Sequence, residues 1–75
     1  MTNYQQEKRN AILLLNECAK EIKREYPRDK PAQRQYINDY ADDLQKSLPY
    51  SLTDAQRERI AQALSNRACQ LHPKD

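Results

Sequence analysis

The side chains of this chain that can do covalent or metal chemistry are few: Cys18, Cys69 and His72, with a trio of carboxylates at Asp39, Asp42 and Asp43. A thiol beside an imidazole is the smallest nucleophilic pair, but His72 is the only His, it adjoins Pro73 near the end of the chain, and no third group is spaced to orient its ring. Two Cys without accompanying His make neither a zinc site nor a disulfide framework. Both are expected as reduced thiols serving as small buried core residues, with a redox-sensitive pair as the alternative. The three aspartates fall on the outer side of a helix, opposite its apolar seam. There Lys46, at i+4 from Asp42 and i+3 from Asp43, partly neutralises them, which reads as a solvated face. A calcium loop would need a Gly turn and a bidentate Glu that are missing.

Glycine is absent from all 75 residues. Phosphate-cradling loops, dinucleotide fingerprints and nucleophile elbows place Gly where the backbone needs positive φ or close approach to a ligand, so none of them can be built. With no Gly turn for an oxyanion hole and no core large enough to dry out a pocket, no catalysis, cofactor or metal is expected. What remains is surface. Thirteen Lys and Arg against eleven Asp and Glu leave a formal charge of +2, far from the one-signed excess of a dedicated polyphosphate binder.

Two surfaces have the form of a docking site. Arg9, Lys20, Lys23 and Arg24 project from the side of the first helix away from its core stripe, with Leu13 in the middle of that side. An apolar anchor ringed by charge suits a partner protein with an acidic surface. Glu17 and Glu21 on the same helix argue against nucleic acid there, since they repel phosphate and can pair with Lys20 and Arg24. Tyr36 and Tyr40, four residues apart on one helix edge, are a second patch, because tyrosine supplies contact area with little rotamer freedom to lose. The alternative is nucleic-acid binding through Arg57, Arg59, Arg67 and Lys74 on and after the third helix.

The elements that must position these residues are helical. Val and Phe are missing and the β-branched residues are four Ile and two Thr, so little of the chain favours a pleated strand. Three periodic segments, each ended by proline, predict an all-α three-helix bundle with helices over roughly 3–26, 30–48 and 54–72, one domain over 1–75. Thr2 or Asn3 can cap the first helix, which carries Tyr4, Ala11, Leu15, Cys18, Ile22 and Tyr26 on a stripe flanked by Leu14, Ile12 and Ala19. Asp29 caps the second, with Pro31 in its first turn and Ile37, Ala41, Leu44 and Leu48 as its seam. Thr53-Asp54-Ala55-Gln56 is a capping box opening the third, whose stripe is Ile60, Leu64, Ala68 and Leu71. So small a core gains from added buried area, which a homodimer or a partner would supply.

The seven residues Leu48 to Asp54 resemble the stretch that opens a helix in the Hha family of small helical nucleoid-associated regulators, which bind a DNA-coating partner protein. That family's aromatic-rich tail has no counterpart here, and no membership is drawn from the likeness. The start of the chain has neither a basic nor an apolar signal region, and no apolar run is long enough to span a bilayer, so a cytoplasmic location without membrane contact is expected. The reading is a non-enzymatic regulator or inhibitor that binds and occludes a partner protein. Helical chains of this size are frequent among phage- and plasmid-encoded accessory proteins, which is the setting expected.

Overall fold

In a computed structural model, which describes residues 4–71, the periodic segments are three helices: α1 Tyr4–Glu25, α2 Lys30–Lys46 and α3 Asp54–Leu71. The expected ranges overran slightly. Tyr26 precedes Pro27, whose ring disfavours the α conformation, so α1 ends at Glu25 although the Tyr26 N–H still donates to the Ile22 carbonyl at 2.9 Å. α2 ends two residues before Leu48 because Ser47 caps it. The Ser47 N–H donates to the Asp43 and Leu44 carbonyls, and its hydroxyl donates to Leu44 at 3.0 Å. The cap expected at Thr2 or Asn3, together with His72, Pro73 and Lys74, lies outside the described residues.

The other helix starts follow the sequence grammar. The Asp29 carboxylate accepts from the Ala32 N–H at 3.1 Å, with Pro31 in the first turn. The capping box closes reciprocally: the Gln56 N–H donates to Thr53 Oγ1 at 3.2 Å and the Thr53 N–H to Gln56 Oε1 at 3.0 Å.

Each helix packs on both of the others, giving an elongated bundle of 43 × 17 × 16 Å. Its centre is built from the four fully buried large side chains Leu15, Ile37, Ile60 and Leu64, flanked by Ala11, Ala19, Ala41 and Ala68. Small residues beside large ones let three backbones approach while the branched side chains interdigitate. Leu48 and Leu52 are also buried, so the α2–α3 link is pinned to the core from both of its ends.

Three expectations about burial are corrected. On α1 the buried stripe is Ala11, Leu15 and Ala19, rotated from the expected axis, so that Cys18 and Ile22 are half-buried while Leu14 and Tyr26 are exposed. A helix with two neighbours centres on the small residues that admit both, and Ala19 belongs there better than Tyr26. On α2, Leu44 is half-buried and the buried polar residue Gln33 takes a place on the seam. Neither cysteine is a core residue: Cys18 is half-buried and Cys69 exposed, both as free thiols. Cys69 follows Ala68 by one position, which at 100° per residue carries it off the Ile60–Leu64–Ala68 stripe.

Candidate functional site

The first helix presents its basic side without obstruction. Arg9, Leu13, Lys20 and Arg24 are all exposed, and their spacings of four, seven and four residues bring them onto one face. Leu13 is 53% exposed at the middle of that face, and with Gln5, Lys8, Arg9 and Ile12 it lines a shallow concavity of about 280 Å³. Leu14 is nearly as exposed, at 48%, but lies one position round the helix on the side of Glu17 and Glu21. Exposed leucines occur singly on many proteins. Leu13 has Arg9 one turn before it and Glu17 one turn after it, and it shares its concavity with Lys8 and the half-buried Ile12.

Tyr36 and Tyr40 do not form a common patch. Tyr40 is half-buried and packs against the core, whereas the exposed Tyr36 stacks on Tyr26 with ring centroids 5.5 Å apart and planes 18° from parallel. The neighbouring Tyr36 hydroxyl, then burial and the negative charges of Glu25 and Asp29, push the Tyr26 phenol above its ordinary pKa. This pair staples the α1–α2 turn from outside. Gln33 does so from inside: it is 5% exposed, and its side-chain amide donates to the Tyr26 carbonyl. Nothing in the sequence marks Gln33 as structural except its place four residues before Ile37.

The arginines of α3 are dispersed. Arg57 lies over the ring of the exposed Tyr50, 5.2 Å from its centroid, at the α2–α3 end of the bundle. Arg59 is exposed on the outer side of the helix. Arg67 is half-buried and reaches α1, where its Nε donates to Asn16 Oδ1 at 2.8 Å, while its Nη1 donates to Gln70 Oε1 at 3.0 Å. Arg57 is thus engaged beside the α2–α3 link, Arg67 across to α1, and Arg59 with neither, so the three cations have three different surroundings. Lys74 lies outside the described residues. Arg67 instead joins Lys20 of the first set, in a groove between α1 and α3.

The remaining chemistry-bearing groups stay apart. Asp39, Asp42 and Asp43 are exposed on α2. Among the described residues no three His, Cys, Asp or Glu side chains come together as a metal would need, and no helix is long and apolar enough to cross a membrane. The Cys18 thiol is pushed up from its ordinary pKa by burial and, secondarily, by the Glu21 carboxylate, the opposite of what activates a nucleophile. No family model matches this chain, and no curated protein or solved structure matches it either.

Proposed function

We propose that the protein is a non-enzymatic helical regulator or inhibitor that docks the basic side of α1 on an acidic surface of a partner protein and acts by occlusion. The observation that carries this reading is Leu13, half exposed on the side of α1 that also bears Arg9, Lys20 and Arg24, and lining with Lys8, Arg9 and Ile12 a concavity that can accept an apolar side chain. A few residues buried near the centre of a protein interface carry most of its binding energy, and surrounding charges set orientation and on-rate. Nucleic-acid binding through Arg57, Arg59 and Arg67 has less support, because the three have different surroundings and a phosphate backbone needs a continuous track.

The test compares two substitutions of matched exposure. Leu13→Asp is expected to abolish capture of the partner from host lysate, while Leu14→Asp, on the acidic flank, leaves it intact. Equal capture by both variants would remove the Leu13 face from consideration.

A further inference from the structure

Toward the C-terminal ends of α1 and α3 lies a groove of about 300 Å³ lined by Asn16, Ala19, Lys20, Lys23, Arg67 and Leu71. Three of these side chains are cationic and none is acidic. Arg67 is the fixed member. Its two hydrogen bonds go to neutral acceptors on Asn16 and Gln70, which hold the guanidinium in place and leave it further N–H donors to offer. Lys20 and Lys23 stand one turn apart on the facing helix, both exposed and both on long stems that can close on an anion.

We propose that this groove seats an acidic side chain of the protein partner, an Asp or Glu carboxylate gripped by Arg67, Lys20 and Lys23, while Leu13 takes an apolar residue of the same segment. The inference rests on the docking reading above and adds its polar half. Leu13 and Lys20 are seven residues apart on one helix face, about 10 Å, so a helical partner segment presents its apolar residue and its acid two turns apart. A carboxylate fits better than a nucleic-acid backbone because glutamates interrupt the positive charge beside the groove. Glu17, Glu21 and Glu25 run along the other flank of α1, and Arg59 is exposed on the outer side of α3. One such anion is met by three cations here, whereas a strand with a phosphate every few Å would also run against the glutamates of α1.

The experiment titrates the isotope-labelled protein by NMR with a blocked helical peptide that carries one leucine two turns from a pair of glutamates. Parallel arms use the same peptide with glutamines, a single-stranded oligonucleotide, and inorganic phosphate. Expected are shifts of the Arg67 Nε–H and of the amides of residues 16–23 with the glutamate peptide, weakening as salt is raised. The glutamine peptide, and the glutamate peptide on a Lys20→Gln/Lys23→Gln variant, should bind about fivefold more weakly or less. Both lysines are exposed, so the variant keeps the folded spectrum. The proposal is overturned if the glutamate peptide leaves the groove resonances unmoved, if the double variant binds it equally well, or if the oligonucleotide or phosphate moves those resonances more strongly. Groove shifts that survive in Leu13→Asp uphold the groove independently of the anchor. An unmoved groove alongside lost partner capture by Leu13→Asp overturns the groove and leaves the docking face standing.

Discussion

Replacing Gln33 by Leu isolates the polar tie inside the α1–α2 turn. The side chain is 5% exposed and donates to the Tyr26 carbonyl, and Leu fills nearly the same volume without the donor. The carbonyl is not left bare, because the Asp29 N–H still reaches it at 3.4 Å. The loss is therefore the net worth of one hydrogen bond, about 1 kcal/mol, and not the larger penalty of a buried acceptor without any partner. In a domain of this size that lowers Tm by about 4–8 °C. Gln33→Ala also removes a buried methylene, so its total cost is about 2 kcal/mol. Thermal and urea unfolding followed by far-UV circular dichroism should rank wild type above Gln33→Leu above Gln33→Ala, with unchanged dependence on urea. A Gln33→Leu protein that melts at or above the wild-type temperature would refute the assignment of stability to this bond.

Two further outcomes follow from the titratable groups. Iodoacetamide should modify the exposed Cys69 well before Cys18, whose thiol is held protonated by burial and by Glu21; the Cys18 rate should climb only as pH passes above the ordinary thiol range, because the thiolate is the reactive form. Mass spectrometry of the digested protein reads both rates, and equal modification near neutral pH contradicts the placement of Cys18. In a spectrophotometric titration one tyrosine should ionise above the usual value of about 10, since the Tyr26 phenol is held protonated by the neighbouring Tyr36 hydroxyl. Tyr36→Phe should bring it back down, and an unchanged curve speaks against the stacked pair.

Helix ends were legible in the sequence because capping is local chemistry. Asp29 and the Thr53–Gln56 box satisfy amides within three residues of themselves, Pro27 ends α1 at the residue before Tyr26, and Pro31 is accepted only because it stands in a first turn. The burial stripe was legible only to within a fraction of a turn. On α1 the periodicity of Tyr4, Cys18, Ile22 and Tyr26 is as regular as that of Ala11, Leu15 and Ala19, and it takes two neighbouring helices to choose the smaller residues. Gln33 and Leu52 were missed for a related reason: a polar residue on a seam and a leucine in a link have no period to betray them. The α3 arginines looked like one set because they share a helix, while three dimensions tie Arg67 to Asn16 and Arg57 to Tyr50.

The hydrogen bond from Arg67 to Asn16 joins residues 51 positions apart, the first helix to the last. The α1–α2 and α2–α3 pairs are closed by short loops, whereas the α1–α3 contact closes the longest loop of the bundle and exists only when all three helices are in place. Any ligand seated across α1 and α3 therefore recognises only the completed bundle, and its binding energy adds directly to the stability of the whole chain. A partner that grips both helices would thus double as a clamp against unfolding and proteolysis.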